Sequence, residues 1–80
     1  MTKKDEITSQ TLLCVYELVQ KRPGPDELLF AGGYLDSFDM IQLIHLLEER
    51  FDLQFEPEEI SLENFSSCRK IADLISVKLN

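Results

Sequence analysis

Between Ser37 and Phe51 the large apolar residues recur at three- and four-residue spacing, as Met40, Leu43, Ile44, Leu47 and Phe51. At about 100° per residue, these five side chains share roughly a third of a helix circumference. The spacing predicts an amphipathic helix over 37–51. It constrains the fold strongly, because a chain of 80 residues must find a partner for that stripe within a single small core. A second stripe through Ile7, Thr11, Cys14, Val15, Leu18 and Val19 predicts a helix from Asp5 to Gln20, with Leu13 and Tyr16 broadening its apolar face. A third, through Ile71, Leu74, Ile75 and Leu79, predicts a last helix with Ser66 or Ser67 as its cap. No segment alternates with a period of two, so no sheet is expected.

The segments between these stripes complete the picture. Pro23, Gly24 and Pro25 end the first helix, since proline lacks a backbone donor and clashes inside a helix. A long connection from Lys21 to Leu35 follows, in which Leu28, Leu29 and Phe30 are too apolar for a free loop and should tuck against the core. Pro57-Glu58-Glu59-Ile60 suits the first turn of a short helix, with proline at its start and acids near its positive end. The expected fold is all-α: a small four-helix bundle of three main helices and one short helix, as one domain over residues 1–80.

Charge narrows the classes of function. The net charge is −7, which disfavours nucleic acid and anionic membrane as partners. From Asp36 to Glu63 nine acids face one base, Arg50, while the other six acids and seven bases nearly cancel. The acidity is local, fitting either a solubilising face or a docking surface for basic proteins. No apolar run is long enough to insert in a membrane, and the N-terminal ten residues lack the apolar core of a signal peptide, so a cytoplasmic location is expected. Cys14 and Cys68 belong to no CxxC pair, and one histidine makes no zinc site, so both cysteines should be core residues.

Ser37 and His45 are the only pairing on this helix that suggests catalysis. They lie eight residues apart, about 12 Å along the axis at 1.5 Å per residue, whereas a nucleophile and its base need about 3 Å. That pair fails, and His45 is read as solvent-facing. No EF-hand ligand order is present either. The segment Gly32-Gly33-Tyr34-Leu35-Asp36-Ser37-Phe38 offers something else. Asp36 is a good N-cap, with Asp39 three residues on, and Ser37 then takes the first helical position, where free N–H groups and the helix dipole favour a phosphate. Phe38 and Ile41 fall off the inward stripe, among Gln42, His45, Glu48 and Glu49. A helix start with a plain capping pair and a site of covalent attachment both fit these residues.

The chain resembles an acyl carrier protein over nearly its whole length. The resemblance lies in Gly33-Tyr34-Leu35-Asp36-Ser37-Phe38, then Met40-Ile41-Gln42-Leu43-Ile44, then Leu47-Glu48-Glu49-Arg50-Phe51-Asp52, with Phe65-Ser66-Ser67 resembling the entry into the last helix. It implies that Ser37 carries 4′-phosphopantetheine, donated from coenzyme A by a phosphopantetheinyl transferase. It also implies that Asp36, Phe38, Ile41, Gln42, His45, Glu48 and Glu49 form the face that partner enzymes grip. The protein would then be no enzyme but a carrier, holding acyl or aminoacyl intermediates as thioesters for a loading ligase or adenylating enzyme and for downstream acyl-transferring or condensing enzymes. A monomer suits such a role.

Departures from the pattern bear on subtype. Phe38 stands where fatty-acid carriers usually have leucine, Gln42 where they have an acid, and Arg50 interrupts the acidic run. The Leu35-Asp36-Ser37-Phe38 form looks more like free-standing D-alanyl carriers of teichoic-acid synthesis and small aminoacyl or specialised-metabolite carriers. A discrete carrier of a specialised biosynthetic pathway is the first expectation and a D-alanyl carrier the second. An unmodified acidic interaction module is the alternative from another class.

Overall fold

The computed structural model describes residues 3–79. Three α-helices, α1 (Lys3–Val19), α2 (Ser37–Phe51) and α3 (Cys68–Leu79), account for its regular structure together with one 3-10 turn at Pro57–Glu59. All described elements are helical, in keeping with the periodicities above. The expected fourth helix is a correction: it is a three-residue 3-10 turn. Pro57 starts it and the Glu56 and Glu59 side chains box it, but Ile60 turns extended at φ −86°, ψ 94° and ends it after one turn.

α1 stops at Val19, before the prolines. Gln20 adopts a left-handed φ of 57°, its N–H donates to the Tyr16 carbonyl at 2.8 Å, and its side-chain amide reaches the carbonyls of Tyr16 and Glu17. A residue that closes the last turn this way ends a helix without proline's help. Thr8 and Thr11, buried on the inner face, donate their hydroxyls to the carbonyls of Lys4 and Ile7, so neither leaves a polar group unpaired. α3 is capped by Ser67, whose Oγ accepts from the Lys70 N–H at 3.2 Å.

α1 packs against both α2 and α3, whereas α2 and α3 make no close backbone approach to each other among the described residues. The two long connections complete the core. Leu29 and Leu35 from the first and Phe55 and Phe65 from the second join Leu43, Leu47, Ile71 and Ile75 in one core, and Phe55 meets Phe65 edge-on at 5.3 Å. Of the three apolar residues expected to tuck inward, Leu29 is fully buried and Phe30 partly so, while Leu28 stays exposed. The stripe on α2 buries Leu43, Ile44 and Leu47, and leaves Met40 and Phe51 at the core's edge. Burying each such side chain contributes about 1.5–3 kcal/mol.

Candidate functional site

The mouth of α2 is built from Leu29 outward. The Leu29 side chain is fully buried, its N–H donates to the Ser66 carbonyl at 2.8 Å, and its own carbonyl accepts from both Tyr34 and Leu35 at 2.9 Å. Within that frame Gly32 N–H bonds the Leu28 carbonyl and Gly33 N–H bonds the Phe30 carbonyl. A side chain at Gly32 would place its Cβ 2.3 Å from the Leu28 carbonyl oxygen, so only glycine fits. Gly33 has a φ of +83° and opens onto empty space, so the turn beside Ser37 is unobstructed.

Leu35, buried, then anchors the chain, and the next residue starts the helix. Asp36 and Asp39 form a reciprocal capping box: Asp36 Oδ1 accepts from the Asp39 N–H at 2.8 Å, and Asp39 Oδ2 accepts from the Asp36 N–H at 3.1 Å. Both carboxylates are therefore occupied with backbone. Ser37 follows at the first helical position, exposed, and Phe38 at the second is 67% exposed. The N–H groups of these two residues have no helical carbonyl to donate to, so they remain available to an anion on Ser37. The hydroxyl, the free donors and the open glycine turn together fit a phosphodiester attached to Ser37.

The other residues of the expected partner face separate into two sets. Phe38, Ile41, Gln42, His45 and Glu49 are exposed on the outer side of α2. Glu48 is half-buried, and its carboxylate accepts from the Phe55 N–H at 3.0 Å, so it holds the second connection. Arg50, the one base in the acidic segment, turns away from the outer face. Its guanidinium bonds Gln10 and Glu17 of α1 at 2.7 and 2.9 Å, and the Glu17 hydrogen bond raises its already high pKa. Gln42, His45, Glu48 and Glu49 border an open depression of about 1200 Å³ shared with Glu17, Leu18 and Leu53, and Ser37 lies outside it.

Both cysteines are fully buried and free. Burial pushes the Cys68 thiol up to about 12, with the nearby Cys14 adding to the shift, and burial likewise raises Cys14. Neither is a nucleophile at neutral pH. Sequence periodicity missed Phe55, Phe65, Leu29's pairing role and the Arg50–Glu17 bridge, because none of them belongs to a helical stripe.

Comparison with known proteins bears on the same residues. The family described as "Phosphopantetheine attachment site" matches residues 10–75. A D-alanyl carrier protein of Lactococcus lactis subsp. cremoris (strain MG1363) is 32% identical over 71 residues, covering 80% of this chain and 90% of that protein. A D-alanyl carrier protein of Streptococcus sanguinis (strain SK36) is 38% identical over 48 residues, covering 60% of this chain and 61% of that one.

Proposed function

The chain belongs to the phosphopantetheine-bearing carrier proteins, and on that premise we propose that Ser37 holds the arm and that the cargo is a small aminoacyl group. The protein is a carrier and not an enzyme, and its cofactor is 4′-phosphopantetheine. The arm, once attached, supplies the thiol on which a thioester forms. What this chain supplies is an exposed hydroxyl at a helix start whose unpaired N–H groups would receive the phosphate. Its own two thiols are withdrawn into the core, so they do not compete for the acyl group.

The observation that carries the attachment reading is the exposed Ser37 beside the open Gly33 turn. The aminoacyl reading is supported by the packing: Leu29, Leu43, Leu47, Phe65, Ile71 and Ile75 have no accessible surface, so no water-sized void adjoins them. A long acyl chain would have to displace these side chains, whereas a small polar aminoacyl group can stay in solvent. The D-alanyl carriers among the relatives make D-alanine the first cargo to try. The Phe38 position favours the same class, and a carrier of a specialised pathway would use the same serine with a different ligase. Phe38, Ile41, Gln42, His45 and Glu49 are the proposed grip for the transferase and ligase, with Asp36 setting the helix start. No helix among the described residues is long and apolar enough to cross a membrane.

The test is intact-protein mass before and after incubation with coenzyme A and a broad-specificity phosphopantetheinyl transferase, with Ser37→Ala as control. A gain of one phosphopantetheine in the wild type, absent from the variant, is the expected result. An unmodified wild type sinks the attachment reading. For cargo, the loaded protein is compared by thermal melting as D-alanyl and as long-chain acyl thioester. Melting that rises with chain length would mean the bundle shelters its cargo, against the aminoacyl reading.

A further inference from the structure

The connection that leads to Ser37 carries a side-chain latch of its own. Glu27 lies seven residues before Tyr34, and its carboxylate spans two parts of the loop: Oε1 accepts from the Gly24 N–H at 2.6 Å, and Oε2 accepts from the Tyr34 hydroxyl at 3.0 Å. The hydrogen bond to Glu27 favours the protonated phenol and raises the Tyr34 pKa. The Tyr34 ring packs against the core and lies 3.4 Å from where a Cβ at Gly32 would sit. One carboxylate thus ties the exit from α1 to the residue three before Ser37, through the ring that braces the glycine turn. Glu27 is exposed and outside the core, so its geometry does little for global stability.

We propose that Glu27, through Tyr34, is a positioning residue that pre-orders the Gly32–Leu35 turn so that Ser37 meets the phosphopantetheinyl transferase in its reactive orientation. The inference rests on the attachment reading above. In the transfer, the Ser37 oxygen bonds to the phosphorus of the pantetheinyl phosphate and the pyrophosphate P–O bond of coenzyme A breaks. Adenosine bisphosphate leaves with the electron pair, and the hydroxyl proton passes to a base of the transferase. Glu27 touches none of these atoms. It removes the entropy that a loose turn would lose on docking, so its effect belongs in KM for the carrier and not in kcat.

The experiment measures steady-state phosphopantetheinylation of Glu27→Ala, Tyr34→Phe, the double variant and Glu27→Gln, each first shown to keep the wild-type urea midpoint. Glu27→Ala and Tyr34→Phe are expected to raise KM about fivefold, the equivalent of one ordinary hydrogen bond, with kcat unchanged. The double variant should do no worse than either single one, because the two residues act as one latch. Glu27→Gln should recover most of the loss, since its carbonyl can accept from Gly24 and its amide can donate to the Tyr34 oxygen. Unchanged KM in both single variants overturns the inference. So do multiplying losses in the double variant, or a Glu27→Gln as impaired as Glu27→Ala, which would mean that the charge itself contacts the transferase. If the wild type is not modified at all, it is the attachment reading that fails.

Discussion

The two connections, residues 20–36 and 52–67, are of similar length and each sends one fully buried side chain into the common core, Leu29 from the first and Phe65 from the second. They differ in what holds them. The turn before Ser37 is closed by backbone bonds to the carbonyls of Leu28, Leu29 and Phe30. The second connection is tied by side chains to both helices that flank it: Glu48 of α2 holds the Phe55 N–H and Lys78 of α3 holds Glu59 at 2.8 Å, with Asn64 on the Glu59 carbonyl. They meet where the Leu29 N–H reaches the Ser66 carbonyl. Backbone bonds do not titrate, so they keep the frame of the turn before Ser37 when the Glu27 carboxylate that latches it is protonated or screened. A loop held by carboxylates answers to pH and salt.

The largest test of that contrast removes the anchors. Phe65→Ala should cost about 4 kcal/mol and Leu29→Ala about 3 kcal/mol in urea unfolding, from lost burial plus cavity. At matched stability Leu29→Ala should also slow modification of Ser37, whereas Phe65→Ala should not. Equal slowing in both would erase the distinction between the connections. Next in size, Gly32→Ala should cost about 2 kcal/mol because its Cβ meets a carbonyl, while Gly33→Ala should cost about 1 kcal/mol for its positive φ alone. The ratio of the two urea midpoint shifts checks this.

Phe38→Ala should change stability by less than about 0.5 kcal/mol, as an exposed residue, yet weaken transferase binding measured by calorimetry. Binding left intact would remove Phe38 from the docking face. The smallest effect is one of pH. The Lys78 hydrogen bond, helped by the Glu56 N–H, holds the Glu59 carboxyl below its usual range. Its contribution is present above the ordinary carboxylate pKa and is lost as pH falls through the lower folded value. Acidification should therefore lower the amide protection factor, corrected for the intrinsic pH dependence of exchange, at Asn64 in the second connection before it does so at Leu35 in the first, and Lys78→Met should abolish that difference.

Much of the site was legible from residue order. The α2 boundaries, the Asp36–Asp39 cap and the outward placement of Phe38 and Ile41 follow from spacing, because a helix converts sequence interval directly into direction. The end of α1 was less so, since Gln20 closes the helix in a left-handed conformation that no proline or glycine signals. The short helix at Pro57 failed for a related reason. Proline and acids start a turn well, but nothing in Ser61-Leu62-Glu63 supplies the inward stripe needed to carry it on.

What the sequence alone determined is the set of three helices and the position of Ser37 at the head of the second, since capping and periodicity act over a few residues. Only the tertiary structure decided that α2 and α3 each pack on α1, that Phe55 and Phe65 join the core edge-on to each other, and where Arg50 and Glu48 find partners. Arg50 goes to Glu17 across 33 residues and Glu48 to a loop N–H, while Glu49 stays exposed. Those pairings depend on distances between segments remote in the chain, and no local spacing encodes such distances.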